Sequence, residues 1–247
     1  MEPTYDKDGI VLYNADVLDL LKEMESESID LICTDPPYKC TPRGNAGTMG
    51  GYWKGRQALD GTIFTDNEIS PSAYLPEFFR VLKDGTHCYV MINNLNLIEM
   101  LDEATACGFK FIKSLIWNKC NQICGHFYMN CFEYILMFRK GSVRKINNFS
   151  TPDILTVPVA KCKDENGGNL HDTEKPVQLM KILVENSSNE GEVVFEPFAG
   201  IGATVVAAKA LGRKCIACEI NGQYAETIEK RLENSLNLKN NSEMFLF

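Results

Sequence analysis

The chain has 247 residues, 45% of them hydrophobic and 23% charged. That is enough apolar side chain for one well-buried core, and it lacks the composition of a disordered chain. A formal net charge of −8 weighs against a uniformly basic surface for nucleic acid, and no apolar run approaches the length that spans a bilayer. Met1-Glu2-Pro3-Thr4-Tyr5-Asp6 carries no basic-then-apolar leader pattern, so the ten cysteines are expected as reduced thiols in the cytoplasm.

Ile10 to Tyr13 reads as a short strand, with Asp16 just past its end and an amphipathic helix from Val17 to about Met24. The apolar run Ile29 to Cys33 reads as a buried parallel strand that stops at Asp35-Pro36-Pro37-Tyr38. Lys39 to Gly61 holds six glycines among Arg43, Tyr52, Trp53, Lys54 and Arg56, which suits a mobile loop rather than core. Pro71 opens a helix to about Leu82, Lys83-Asp84-Gly85 is its exit, and Thr86 to Ile92 is the next strand. A helix from about Leu95 to Cys107 and strands over Lys110–Asn118 and Glu133–Phe138 follow. Pro176 opens a helix to about Ser187. Then come a strand over Glu192–Phe195, a helix over Ala203–Leu211, a strand over Lys214–Cys218 and a helix from about Gln223 to Leu236. Strands alternating with helices predict a doubly wound, mostly parallel α/β sheet in a single domain over residues 1–247.

The Asp-Pro-Pro-Tyr run falls where open α/β sheets place their ligands, at the carboxyl end of a strand. Proline fixes its own φ and restricts the residue before it, so the Asp35 carboxylate and the Pro36 carbonyl become two rigid acceptors beside the Tyr38 ring. An exocyclic amine of a nucleobase has two N–H donors and a lone pair delocalised into the ring. Two acceptors that each take one hydrogen would draw that nitrogen toward tetrahedral geometry and free its lone pair. Tyr38 would stack on a base taken out of its helix. A turn that merely closes a strand would use the same residue types.

Glu196 to Gly202 reads as a strand-to-helix turn whose glycines let the backbone approach a ligand. Glu219 lies 23 residues after Glu196, at the end of the next strand, where a carboxylate can accept from two ribose hydroxyls. A dinucleotide fingerprint wants a small third residue where Val205 stands, so the turn suits an adenosine-containing cofactor without a pyrophosphate better than NAD. Cys120, Cys124, His126 and Cys131 lack the paired knuckles of a zinc ribbon, and Cys215 and Cys218 lie inside an apolar strand, so no metal is expected. Charge is segregated: Lys39, Arg43, Lys54 and Arg56 stand without an acid among them. From Ala104 to Pro152, Lys110, Lys113, Lys119, Arg139, Lys140, Arg144 and Lys145 face Glu133 alone. Scattered solvated side chains would account for any one of these; together they suggest a basic cleft around Asp35.

These segments resemble the DNA amino-methyltransferases that use S-adenosylmethionine, of the subclass whose catalytic tetrapeptide precedes the cofactor loop. Asp35-Pro36-Pro37-Tyr38 matches the catalytic motif, and Glu196-Pro197-Phe198-Ala199-Gly200-Ile201-Gly202-Ala203-Thr204 matches the cofactor loop. His171-Asp172-Thr173-Glu174-Lys175-Pro176 resembles the segment before that loop, and Trp117-Asn118-Lys119 with Glu133-Tyr134-Ile135-Leu136 resembles the intervening strands. The resemblance implies a class I methyltransferase fold, with Asp35, Pro36, Pro37 and Tyr38 catalytic. It gives the methionine part of the cofactor to the turn around Phe198, Gly200 and Gly202, with Glu196, Ala199 and Thr204 beside them. Thr173 and Lys175 take the carboxylate side, Glu219 the ribose and Asp16 the adenine amine. The family commonly has Asp at position 196 and Ser at position 201, where this chain has Glu196 and Ile201. The region over 140–170, where relatives often carry a recognition module, is short, leaving recognition to it or to the Gly-rich loop over 39–61. DNA contacts are expected from Lys39, Arg43, Lys54, Arg56, Lys119, Arg139, Lys140, Arg144 and Lys145. The implied activity is methylation of adenine N6 in DNA, since Asp at position 35 leans that way in the family; a homodimer is one option for assembly. N4-cytosine methylation, a catalytically silent DNA-binding module and an RNA substrate stand as alternatives, with an NAD enzyme last.

Overall fold

In a computed structural model of the protein, the described residues are 1–38, 69–123, 128–163 and 173–239. The chain opens with β1 (Tyr5–Lys7) and β2 (Ile10–Tyr13), then α1 (Val17–Glu23) and β3 (Ile29–Thr34). Asp16 is the N-cap of α1, its carboxylate accepting from the Leu18 N–H at 2.8 Å, which satisfies one otherwise unpaired donor of the first turn. The strands and helices that follow are α2 (Pro71–Val81), β4 (Leu82–Ile92), α3 (Leu97–Ala106), β5 (Lys110–Ile123) and β6 (Asn130–Arg139). The last six elements are β7 (Ile154–Thr156), α4 (Val177–Ser187), β8 (Val193–Glu196), α5 (Ala203–Ala210), β9 (Lys214–Cys218) and α6 (Gly222–Lys239).

One nine-stranded sheet runs in the order β1-β2-β9-β8-β3-β4-β6-β5-β7. From β2 to β4 all pairings are parallel, β6 is antiparallel to both β4 and β5, and β7 is parallel to β5. The sheet is therefore mostly parallel, as expected from alternating strands and helices. Every position of β3 is buried. Leu31 and Cys33 enter one hydrophobic cluster with α4, α5 and α6, while Ile29 and Ile32 enter another with α1, α2 and α3. From Leu31 to Cys33 the side chains alternate between the two cores, with Ile29 set apart by the register shift before Leu31, which is the three-layer arrangement of a doubly wound fold.

The direction of winding reverses between β3 and β8. These strands are neighbours, but β3 leads through α2 to β4 on one side, whereas β8 leads through α5 to β9 on the other. A crevice opens at such a reversal, outside the carboxyl ends of the strands.

Four details depart from the sequence reading. Lys83-Asp84-Gly85 belongs to β4 rather than to a helix exit: the register jumps from Ile29↔Leu82 to Leu31↔His87, and Gly85 absorbs the bulge at φ 76°. β5 and β6 both extend beyond the predicted limits as a long antiparallel pair. The edge strands β1 and β7 are three residues each, too short for a periodic signal. β7 lies within the region read as a short recognition segment, and hydrogen-bonds to β5.

Candidate active site

At the reversal point the carboxyl ends of β2, β3, β8 and β9 surround a cavity of about 450 Å³. Asp35, Pro36, Pro37 and Tyr38 line it from the end of β3, and Glu196, Phe198, Ala199, Gly200 and Thr204 from the turn between β8 and α5. Asp16 enters from the β2–α1 junction, Glu219 from the end of β9, and Thr173 and Lys175 from the stretch before α4. Two sequence motifs separated by some 160 residues therefore share one cavity because their strands are hydrogen-bonded neighbours, Leu31 beside Val194 and Ile32 beside Phe195. Gly202 is the one predicted cofactor residue that does not line the cavity. It takes φ 83° as the N-cap of α5, and a Cβ there would sit 2.9 Å from Ile228 Cγ1. Its missing side chain lets α6 pack against the turn, which is a close-approach role rather than a ligand contact.

The turn is held by two buried carboxyl groups. Glu196 accepts from Thr34 Oγ1 at 2.5 Å and from Thr204 Oγ1 at 2.6 Å, so one side chain ties β3, β8 and α5 together. Burial pushes its carboxyl up to about 8, against the pull of the Thr204, Thr34 and Phe198 hydrogen bonds. Glu219 accepts from the Gly200 N–H at 2.7 Å and the Asn221 N–H at 2.8 Å, fixing the Gly200 peptide against the end of β9.

Lys175 does not reach out along the cavity. Its side chain is 6% exposed, and its ammonium donates to Asp35 Oδ2 and lies 3.5 Å from Glu133 Oε2. Glu133 in turn accepts from Lys119 at 2.5 Å, and Lys119 sits over the Trp117 ring. The result is a file of alternating charge, Asp35, Lys175, Glu133 and Lys119, buried at Lys175 and partly buried elsewhere, drawn from the end of β3, the approach to α4, β6 and β5. Burial opposes the charge on Lys175, but Asp35 and Glu133 outweigh it and hold the ammonium above its ordinary range. Burial raises the Asp35 carboxyl, with Lys175 pulling it down. Asp35 Oδ1 is buried and has no hydrogen-bond partner. An orphaned carboxylate oxygen is costly unless a donor from a ligand completes it. Sequence reasoning gave Glu133 no role in the site. The available signal was its being the single acid in a basic stretch.

The predicted basic cleft does not form from the second cluster. β6 runs opposite to its neighbours, so Arg139, paired with His87 and Lys110, lies at the amino edge of the parallel strands, across the sheet from Asp35. There Arg139 donates to the Gly141 carbonyl and Lys140 to the Leu82 carbonyl at 2.7 Å. Arg144 pairs with Glu192 at 2.9 Å, and Lys145 sits over the Phe149 ring. Lys119 is near the site but bound to Glu133. Lys39, Arg43, Lys54 and Arg56, the whole Gly-rich loop over 39–61, and Cys124 and His126 lie outside the described residues. Among the described residues no helix is long and apolar enough to cross a membrane.

Comparison with known proteins agrees with this geometry. The chain is 28% identical over 257 residues to the Type II methyltransferase M2.DpnII of Streptococcus pneumoniae, covering 94% of this chain and 92% of that one. Its fold matches that of an M1.HpyAVI complex with S-adenosylmethionine at a TM-score of 0.66, with 20% identity over 90% of this chain and 99% of that one. It matches the cytosine-N4-specific PvuII DNA methyltransferase at 0.72, with 16% identity over 98% and 96%. The sequence model of the N6/N4 DNA methylase family aligns with residues 29–230, from the first residue of β3 into α6. With both motifs of that family lining one cavity, the chain belongs to the N6/N4 DNA methylases, enzymes that methylate amino groups of DNA bases.

Proposed function

We propose that the protein transfers a methyl group from S-adenosylmethionine to the N6 amine of an adenine turned out of duplex DNA. The observation that carries this reading is the Asp35 carboxylate, which lines the same cavity as Glu219 and Phe198 and keeps one oxygen, the buried Oδ1, without a hydrogen-bond partner. An N–H donor is what that oxygen lacks.

The wall chemistry fits the cofactor. The carboxylates of Asp16, Asp35 and Glu219 line a cavity whose volume lies within the range of about 300–1,000 Å³ usual for small-molecule sites. That is an environment for a cation with several N–H and O–H donors, and Asp16, Thr173, Phe198, Ala199, Gly200, Thr204 and Glu219 are the residues that would hold it. When bound, S-adenosylmethionine supplies a methyl on a positively charged sulfur, which leaves as a neutral thioether. The chain's part is orientation and proton acceptance. The Asp35 carboxylate and the Pro36 carbonyl each accept from one amine N–H, Tyr38 stacks on the base, and the proton released from the methylated nitrogen passes to Asp35 and on to water. Lys39, Arg43, Lys54 and Arg56, which follow Tyr38 in sequence, are the DNA contacts in this reading. Recognition draws on the Gly-rich loop and on residues 157–163, which run beside the site: Val157 donates to the Asn118 carbonyl at 3.1 Å and the Cys162 N–H to Glu174 at 2.6 Å.

The test is incubation of the purified protein with unmethylated plasmid DNA and S-adenosylmethionine, nuclease digestion and mass spectrometry of the nucleosides. N6-methyl-2′-deoxyadenosine is the expected product. N4-methyl-2′-deoxycytidine would reassign the base, and the absence of any methylated nucleoside would overturn the reading.

A further inference from the structure

The resemblance assigned Lys175 to the carboxylate side of the cofactor, but its ammonium is committed elsewhere. It donates to Asp35 Oδ2 and lies 3.5 Å from Glu133 Oε2, with only 6% of its side chain exposed. A lysine buried between two carboxylates is not available to swing out toward a ligand without leaving Asp35 uncompensated and Glu133 with Lys119 alone, an unfavourable state. The same contact decides what Asp35 offers to the cavity. Lys175 holds Oδ2, and the other oxygen, Oδ1, is buried without a partner, so the contact fixes how the carboxylate sits in the cavity wall.

We propose that Lys175 and Glu133 are positioning residues for the reaction, Lys175 clamping Asp35 by Oδ2 so that its carboxylate is held in one orientation toward the target amine, and Glu133 holding Lys175 in place. This rests on the amine-methylating reading of the site. Glu133 is itself anchored on its other oxygen by Lys119, so β5 and β6 brace the clamp from the antiparallel end of the sheet. A free carboxylate would rotate about its last bond and offer either oxygen. A clamped one spends no orientational freedom when the base arrives. The clamp is also electrostatic. Burial raises the Asp35 carboxyl, and the ammonium beside it counters that rise, favouring the ionised form that can accept two hydrogens' worth of donors. The charged or titratable groups facing Asp35 are Lys175, Glu133 with Lys119 behind it, Glu196 across the turn, and Tyr38 on its own strand end.

The experiment compares wild type, Asp35→Ala, Lys175→Met and Glu133→Gln for methyl transfer against pH and for calorimetric affinity toward S-adenosylmethionine. Lys175→Met is expected to lower kcat by about 10²-fold or more, as for loss of a group that positions another, while cofactor affinity stays within about threefold. Its residual acidic limb should move to higher pH by about one unit, because a nearby cation no longer favours the Asp35 carboxylate. Glu133→Gln removes a nearby negative charge, so its acidic limb should move to lower pH, with a smaller fall in kcat. Opposite displacements are a signature that mere loosening of the fold would not produce. Glu133→Gln keeps the shape of the side chain, so it decides the matter even if Lys175→Met does not fold. Acidic limbs that stay in place in the folded variants overturn the proposal. So does a Lys175→Met enzyme that binds S-adenosylmethionine tenfold or more weakly yet keeps its kcat at saturation, which returns Lys175 to the cofactor. A wild-type protein without methyl transfer would instead sink the underlying reading.

Discussion

Asp35 has two oxygens in two situations, one donated to by Lys175 and one buried without a partner, and this asymmetry frames what each substitution should do. Asp35→Ala removes the acceptor and leaves Lys175 balanced by Glu133. Turnover should fall about 10²–10⁴-fold, the range for a positioned catalytic group, while calorimetry shows S-adenosylmethionine binding nearly unchanged. Near-normal methylation by that variant would remove Asp35 from the mechanism. Tyr38 lines the same cavity and packs partly against the α1–α3 core. Tyr38→Ala should cost about 1–3 kcal/mol of base stacking, read as weaker kcat/KM on duplex DNA, and Tyr38→Phe should cost less because the ring remains. Equal losses in the two variants would point to the hydroxyl rather than to stacking.

The turn between β8 and α5 works as an element because its neighbours are fitted to it. Gly202 combines a left-handed backbone with contact against Ile228 of α6, so Gly202→Ala should destabilise the protein by about 2–4 kcal/mol in chemical denaturation. Adding Ile228→Ala relieves the collision but not the backbone strain, so the pair should cost less than the sum of the single changes. Strict additivity would show that the collision is absent. Glu196 gives a pH signature to the same turn. Its folded-state carboxyl stands near 8 while an unfolded glutamate ionises near 4.3, so between those values the folded protein retains a proton that the unfolded chain has lost. Stability therefore falls as pH rises through that window, by at most about 1.4 kcal/mol per pH unit. Below it the contribution is constant. Glu196→Gln should flatten this dependence in denaturation curves taken from pH 5 to pH 8, and an unchanged slope would mean that Glu196 ionises normally.

Across the whole molecule, the sheet separates a chemical edge from a structural one. Lys140 and Arg144 lie at the amino edge, engaged with the Leu82 carbonyl and Glu192. Lys140→Ala and Arg144→Ala should therefore lower thermal stability while leaving DNA affinity and its salt dependence unchanged. A phosphate contact would instead reduce the salt slope by about one per residue removed. Much of this architecture was legible in the residues. Apolar runs bounded by Pro and Gly located β3, β8, β9 and the helices between them, because buried parallel strands read as continuous hydrophobic segments. The edge strands β1 and β7 were not, since three residues carry no period, and the β4 bulge depends on a register that only pairing defines. The tetrapeptide at 35–38 and the turn at 196–204 likewise stood out through residue type, because proline rigidity, glycine freedom and carboxylate acceptors are local properties, and the fold brings both to one cavity. What tertiary structure alone decided is the company those groups keep. Strand direction sent Arg139 to the far edge, the pairing of β5 with β6 brought Glu133 to Lys175, and Lys175 was given to Asp35. Charge interactions act across space and fall off within a few ångströms, so sequence proximity cannot say which partners meet.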